Sequence, residues 1–417
     1  MSEKVRPDVV VIGGGIIGAA SAAELAEGGA RVVVIDRGQP GYGCSYGNAG
    51  WVTPCFALPL PMPGMLPKVI RWLGDAESPL HIPPKASPAL AWWLTKFLSY
   101  MNWKALKRGV AALTEISKFS LEAYAALAEE TGDALGFERK GLLLVAATEE
   151  GLAGARQELE LVSPHGIPGH ELDVNALREL EPAITGPVVG GVYFPNEAHL
   201  EPLQAVRLLI EKAERFGAQV RPGTEVFDFR MNGSKITGLR TTRGEIEADQ
   251  YVLATGTWSR QIGRQLDLRI PVMGGKGYAA IVPPFTPTPR IPMMLVERKI
   301  AVTPRRGSVR LAGTLELVEG GRGISPRRLD AILNGSRKYL SVPENVQFSE
   351  AWAGLRPCTP DGVPVIGRPE RFDNLTIATG HQMLGLQSAP GTGRLVADLV
   401  LGRKPTFDPA PFEADRF

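Results

Sequence analysis

Apolar and polar positions along the chain change period several times, and each change predicts an element. Residues 8–12 (DVVVI) are a short β-branched run, the Ala-rich ASAAELAEGGA has a helical pattern ending at Gly28 or Gly29, and RVVVID closes a second run at Asp36. A strand, helix and strand of this length predict a right-handed parallel crossover. The Gly-rich GYGCSYGNAG follows. Residues 54–88 are too dense in proline for regular helix or central strand, and are expected to wrap over a surface or cover a site. Residues 89–107 predict one helix with an inner stripe of Leu90, Trp93, Leu94, Phe97, Leu98 and Met101, and residues 111–130 continue in helical style.

Between GLLLVAA (141–147) and GGVYFPNEAHLEP (190–202) the pattern gives a helix and Pro/Gly turns, an α+β module inserted into the first unit. PLQAVRLLIEKAERFGAQVRPGTEVFDF repeats the N-terminal rhythm with an amphipathic helix, a stop at Gly217 and a strand. Residues 236–254 predict a hairpin and a buried strand meeting Thr255 and Gly256. Short strands with Pro/Gly turns fill 271–354, and the chain closes with the strand LTIAT, a Gly-rich turn and a helix starting near 390.

Composition narrows the class. The chain has 417 residues, 44% hydrophobic and 22% charged, which predicts a folded protein of two or three domains. With 46 Lys plus Arg against 44 Asp plus Glu, its net charge of +2 gives no field suited to nucleic acid, so small-molecule partners are expected. Cys44, Cys55 and Cys358 form no metal spacing, and they fit a reducing cytoplasm with Cys44 as a buried filler. His165 and His170 lie in a turn without further ligands, so no metal site is expected. The N-terminus lacks a signal-peptide pattern, and no run approaches the ~20 apolar residues of a membrane span, so any membrane contact would be peripheral.

Gly13, Gly15 and Gly18 form GxGxxG directly after a predicted strand and at the opening of a helix, with Asp36 at the end of the next strand. Gly13 permits the tight turn, Gly15 lets backbone approach a pyrophosphate, and Gly18 lets helix and strand pack closely. The helix N-terminus, with Ile16 and Ile17, offers amides to phosphate. Asp36 can accept both ribose hydroxyls, and Arg37 follows it. This register predicts one bound dinucleotide without choosing between NAD and FAD. A second near match, Gly275, Gly277 and Ala280, lacks a following helix.

The GGGIIG motif with Asp36, then CSYGNAG, FPNEAHLEP, ADQYVLATGTWS, WAGLRPCTPDGVPVIG and ATGHQMLGLQSAPGTGRLVADL, occur in the order found in the FAD-dependent D-amino acid oxidase superfamily. The matches run from residue 8 to about 402. SYGNAGWVTPCFALPLPMPG, the proline-rich segment and the WW helix most resemble the bacterial D-amino acid dehydrogenase branch, including hydroxy-D-proline dehydrogenases. The resemblance implies an α/β fold, α+β overall. A doubly wound, Rossmann-like FAD-binding domain would comprise 1–88, 195–270 and 355–417, and an inserted mixed-sheet substrate domain 89–194 and 271–354. One FAD per chain would be held non-covalently.

By that resemblance Ser45, Gly47, Asn48, Ala49 and Gly50 pass the pyrophosphate and flavin edge. Val226 meets the adenine, and Thr255, Gly256 and Trp258 lie near the ribityl chain. Gly380, His381, Met383, Leu384 and Gly385 form a loop under the flavin, where His381 is either a hydrogen-bond donor or a packing residue. Arg356, within GLRP, would clamp the substrate carboxylate, for which a planar guanidinium is well shaped. Tyr278 would support the same carboxylate. Met383 stands where glycine oxidases carry a second arginine, which favours a bulkier substrate than glycine. Tyr193, Glu197 and His199 read as packing.

The implied reaction is oxidative deamination of a D-amino acid or a cyclic imino acid such as D-proline, with hydride passing from Cα to flavin N5 and electrons on to a quinone or other non-oxygen acceptor. An oxygen-dependent glycine, sarcosine or D-amino acid oxidase is the alternative. A NAD-dependent dehydrogenase and a silent flavoprotein are more remote. Trp92 and Trp103 with Lys96, Lys104, Lys107 and Arg108 edge the 89–107 helix, which either caps the substrate domain or rests on a membrane. The expected location is cytoplasmic, with a peripheral contact on the cytoplasmic membrane face. The oligomeric state stays open.

Overall fold

The structure, a computed structural model, describes residues 6–67, 80–81, 87–318, 320–321 and 323–417, with only the backbone of 80 and 81. Five strands run parallel in one sheet, in the order Leu375–Thr379, Gln250–Leu253, Val9–Ile12, Val32–Ile35 and Gln219–Arg221. Val365–Gly367 adds an antiparallel edge beside Leu375–Thr379. The strands read as unbroken apolar runs because both faces are covered. Val9, Val11, Val32 and Val34 pack under the helices Ile16–Glu27, Pro202–Arg215 and Gly385–Val400. Val10, Ile12, Val33 and Ile35 pack under an antiparallel meander, Val226–Asn232, Lys235–Thr241 and Gly244–Ile246.

The second sheet is mixed. Its order is Glu350–Cys358, Met273–Val282, Ser308–Val318, Ile300–Arg305, Met293–Leu295, Leu142–Ala146, Gly190–Phe194 and His170–Leu172, with Leu80–His81 paired to Ser308–Val318. Two adjoining strands run parallel, Met293–Leu295 and Leu142–Ala146. Helix Pro326–Arg337 covers one face through Leu329, Ile332 and Leu333. Helix Pro88–Ser99 covers part of the other through Leu90 and Trp93, whose Nε1 donates to the Cys358 carbonyl at 3.2 Å.

Several local expectations need correction. The helix predicted over 89–107 is two helices, Pro88–Ser99 and Trp103–Thr131, because Asn102 starts a new one: its Oδ1 accepts from the Ala105 amide at 3.0 Å. Leu98, placed on the inner stripe, is exposed. Within the stretch where the pattern predicts short strands and turns, Pro326–Arg337 is a helix, opened by the helix-start residues Ser325 and Pro326. The strands around it reach 10 and 11 residues, Met273–Val282 and Ser308–Val318, and are not short. Of the proline-rich 54–88, Pro54–Phe56 forms a 3-10 turn, while 68–79 and 82–86 lie outside the described residues.

The closing helix starts at Gly385, not near 390, and carries Pro390 inside it. Proline has no N–H for the carbonyl four residues back, which strands the Leu386 oxygen. Helix Trp103–Thr131 supplies the partners. The Tyr124 hydroxyl donates to the Leu386 carbonyl at 3.0 Å, and the Ser120 hydroxyl accepts from the Gly391 amide at 2.9 Å. Gly391 lets the helices close, since a Cβ there would stand 2.5 Å from Ile116 Cγ1.

Tyr124→Phe leaves a buried carbonyl without a donor and should cost about 1–3 kcal/mol of stability in a denaturant titration. Pro390→Ala restores an N–H at that position, so the double variant should recover part of the loss. Equal losses in the single and double variants would show that the hydroxyl, not the carbonyl's need of a donor, is what matters.

Candidate active site

The carboxyl ends of the parallel strands Val9–Ile12, Val32–Ile35, Gln250–Leu253 and Leu375–Thr379 open into one cleft. Open α/β sheets bind ligands at such strand ends. The three glycines of the first turn do the work expected of them. Gly13 has φ +109°, and a Cβ on it would stand 2.5 Å from the Ala254 carbonyl oxygen. A Cβ on Gly18 would collide with the Gly13 carbonyl, so helix and turn touch backbone to backbone. Gly15 has only Ser45 Oγ nearby, at 3.5 Å, and stays open toward the cleft.

Asp36 is oriented by two amides: Oδ2 accepts from Gly14 at 2.7 Å and Oδ1 from Gly38 at 2.8 Å. Arg37 lies over the Trp258 ring at 4.1 Å, forming a wall with it. Ser45 Oγ accepts from the Ile16 amide at 3.0 Å and ties the Ser45–Gly50 segment to the helix start. Of the residues singled out from sequence, the cleft is lined by Gly13, Gly15, Ile16, Ile17, Asp36, Arg37, Ser45, Asn48, Val226, Thr255, Gly256, Trp258, His381 and Gly385. An open glycine beside a helix start, an amide-oriented carboxylate and a strand-end cleft fit a dinucleotide.

Other expected residues are elsewhere, for identifiable reasons. Gly18 is buried as packing. Gly47 lies against the Trp352 ring. The Ala49 carbonyl accepts from Thr303 Oγ1 at 2.8 Å, and Gly50, with φ +89°, lies close to the Leu200 carbonyl. Gly380 makes the turn, at φ +81°, while Met383 and Leu384 pack on Ala57 and Leu113. The Met383 carbonyl accepts from Asn48 Nδ2 at 3.2 Å, which links the two segments expected to meet the flavin.

The structure separates Tyr278 from Arg356. In the ladder Gly275 faces Arg356 and Gly277 faces Gly354, so the odd-numbered residues of Met273–Val282 share the Arg356 face and Tyr278 points to the other. There it is buried against helix Pro326–Arg337, and its hydroxyl donates to Glu316 Oε2 at 2.7 Å, with Arg328 Nε on the other carboxylate oxygen at 3.0 Å. Tyr278 therefore does not reach a carboxylate on Arg356.

Arg356 itself is partly buried, and burial lowers its pKa from the ordinary value. Its Nη1 donates to the Thr314 carbonyl at 2.7 Å, and among the described residues no carboxylate pairs with it. The Gln382 amide donates to the Pro357 carbonyl at 2.9 Å, and Cys358 bridges His381, so Arg356 directly precedes the junction with the 380–385 loop. His381 is buried, its Nε2 lies 3.0 Å from Thr392 Oγ1, and burial pulls its pKa down to about 3.

Sequence reasoning missed Cys44, which lines the cleft half-buried instead of filling a core, and Gln382, at φ 51°. Both sit beside residues it did select, and Gln261, Ile262 and Gln265 of helix Ser259–Gln265, which it did not select, line the cleft as well. Glu197 and His199 lie away from the cleft, next to the Trp51–Val52 strand. Glu197 Oε1 accepts from the Cys55 amide at 3.3 Å, and burial raises its pKa to about 8, while burial lowers that of His199 to about 4.

Residues 8–399 match the DAO family, FAD dependent oxidoreductase, and the chain belongs to that family. It is an oxidoreductase with FAD as its cofactor. It is similar to a D-amino acid dehydrogenase of Granulibacter bethesdensis, at 33% identity over 98% of this chain and 99% of that one. A D-amino acid dehydrogenase of Vibrio atlanticus is 35% identical over 95% and 96%. Among solved structures, the glycine oxidase from Geobacillus kaustophilus superposes with a TM-score of 0.79 at 26% identity, covering 99% of each chain. The L-proline dehydrogenase from P. horikoshii shares the fold, with a TM-score of 0.78 at 23% identity over 96% of this chain and 94% of that one.

The Glu197 carboxyl gives a pH prediction. Its pKa of about 8 in the folded chain lies above the unfolded value of 4.5, so between these values the unfolded state binds fewer protons. Stability is full below pH 4.5, falls as pH rises by up to ~1.4 kcal/mol per unit, and levels off above about 8. Glu197→Gln should flatten that fall in denaturant titrations across the window. An unchanged slope would place the titrating group elsewhere.

Proposed function

We propose that the chain catalyses FAD-dependent oxidative deamination of a D-amino acid or a cyclic imino acid, passing the electrons to a quinone or another non-oxygen acceptor. One observation carries the reading: Arg356 presents a guanidinium beside the cofactor cleft whose acceptor, among the described residues, is a single backbone carbonyl. An anionic substrate group completes it, and a carboxylate matches the fork bidentately. The names of the relatives point to D-amino acids. The division of labour follows the two sheets, with the parallel sheet holding FAD and the mixed sheet, through Arg356 on strand Glu350–Cys358, holding substrate.

When bound, FAD supplies the hydride acceptor. The chain's residues do the rest by orientation. Arg356 fixes the carboxylate, and the edge of the loop at His381 and Gln382 closes the cleft beside it. Among the described residues, no group beside Arg356 serves as base. His381 is neutral and engaged with Thr392, and the Tyr278 hydroxyl is engaged with Glu316 on the far face of the sheet. The substrate must therefore arrive with its amine unprotonated, and the nitrogen lone pair forms the imine that water hydrolyses.

The membrane contact rests on exposure. Trp92, Leu98 and Trp103 are 42%, 49% and 49% exposed, Lys104 and Lys107 lie beside them, and Trp93 alone of the nearby tryptophans is buried. Exposed tryptophan and lysine side chains suit a lipid headgroup layer. No helix among the described residues is long and apolar enough to cross a membrane.

An anaerobic screen of flavin bleaching with paired D- and L-amino acids, proline and sarcosine tests the reaction. Bleaching by D-forms supports it, and bleaching by L-forms alone overturns it. Peroxide release outpacing quinone reduction would identify the oxygen-dependent alternative. Arg356→Lys and Arg356→Ala should lower the second-order rate constant of reduction by roughly 30- to 1000-fold, the loss of a charged contact of about 2–4 kcal/mol. The rate should rise with pH through the amine pKa of each substrate, and a limb that stays fixed across substrates would reveal a protein base.

Anionic liposomes should co-sediment the protein, and Trp92→Ala with Trp103→Ala should abolish sedimentation without changing flavin reduction. Wild type that stays in the supernatant would remove the membrane contact from the proposal.

A further inference from the structure

The sheet face that carries Arg356 also carries Trp352, and two glycines let both side chains lie flat on it. Gly277 and Gly354 face each other across the ladder between Met273–Val282 and Glu350–Cys358. A Cβ on Gly277 would collide with Cζ and both Nη atoms of Arg356, so the guanidinium lies over that glycine. A Cβ on Gly354 would collide with Cζ2 and Cη2 of Trp352, so the outer ring lies over this one. Facing residues on antiparallel strands are about 5 Å apart, which puts the guanidinium and the ring edge side by side. The opposite side of the same ring meets Gly47, where a Cβ would collide with Cε3 and Cδ2.

Trp352 thus fills the span from Arg356 to the Ser45–Gly50 segment. It is partly exposed, unlike the buried Trp93 and Trp51. Its ladder neighbour Ala279, and Ala312 beyond, add only methyl groups to this face. A molecule whose carboxylate sat on the Arg356 fork would bring the groups on its α-carbon beside the indole.

We infer that Trp352 is the specificity-determining residue of this site, an indole wall that admits a small aliphatic side chain or a five-membered ring and excludes a bulky aromatic one. The inference rests on the reading of Arg356 as the carboxylate clamp. A flat apolar ring beside a guanidinium offers contact to a compact saturated substituent and no room for a large one. Removing the indole opens that room without touching the clamp.

The test uses the FAD-loaded protein and two unreactive acids, cyclopentanecarboxylate and naphthalene-1-acetate, with dissociation constants measured by calorimetry. Trp352→Ala should shift the affinity ratio at least 10-fold toward the bulky acid. The kcat/KM ratio of D-tryptophan over D-proline should move the same way. Trp352→Phe keeps a ring against Gly47, and should give a smaller shift in the same direction if the alanine variant does not fold. A ratio that stays constant, or equal losses for both acids, would make Trp352 a mere wedge and overturn the assignment. Arg356→Ala separates the two readings: it should weaken both acids alike, and if it weakens neither, the clamp fails and this assignment falls with it.

Discussion

Backbone contact between the first turn and the first helix is the constraint on which the site depends. Because Gly18 meets the Gly13 carbonyl with no room for a Cβ, helix Ile16–Glu27 sits directly on the strand-end turn and aims its N-terminus into the cleft. The same helix receives the closing helix in the same manner, since a Cβ on Gly393 would stand 2.5 Å from the Ala20 carbonyl oxygen. Helix Gly385–Val400 is held from its other side by Tyr124, Ser120 and Ile116. Two helix starts, Ile16 and Gly385, thus converge on one cleft through close packing of backbone on backbone.

The second sheet is joined to that cleft by hydrogen bonds to backbone. Arg310, buried and with its pKa lowered by burial to about 10, donates to the Asn48 carbonyl at 2.9 Å. Thr303 donates to the Ala49 carbonyl and accepts from Trp51 Nε1 at 2.9 Å, and the Leu200 amide donates to the Gly50 carbonyl at 2.8 Å. Glu201 binds Arg305 at 2.6 Å and lies 3.7 Å from Arg310, which keeps this buried positive charge from standing alone. Consecutive carbonyls of one segment are therefore held by groups from the mixed sheet and its neighbours. The relative position of cofactor cleft and Arg356 is a property of that segment.

Much of this was legible in the sequence where chemistry is local. The GxGxxG turn, Asp36, and the strand ends at Thr255 and Gly256 line the cleft because each function is served by backbone shape within a few residues. What was hidden depends on register and on partners far along the chain. Which face Tyr278 takes is decided by its pairing with Ala353, and nothing in KGY encodes a Glu316 that arrives 38 residues later. Pro390 reads as a helix boundary until Tyr124 is known to supply its missing donor. Gly47 reads as a cofactor glycine, yet it is small because Trp352 lies against it. Comparison with solved structures supports the overall architecture that the resemblance implied.

Under the proposed function, the electrostatics around Arg356 suit a substrate that brings its own counter-charge and its own base. Arg356 is desolvated with one carbonyl acceptor among the described residues, a state that costs the protein stability, and on the proposed reading a bound carboxylate would offset that cost. The neighbouring titratable groups do not compete for the role of base. Burial keeps His381 neutral down to a pKa of about 3, and Cys358, pushed up to about 12, stays a thiol. Neither changes charge near neutral pH, which on the proposed reading leaves the proton balance of the reaction to the substrate's nitrogen.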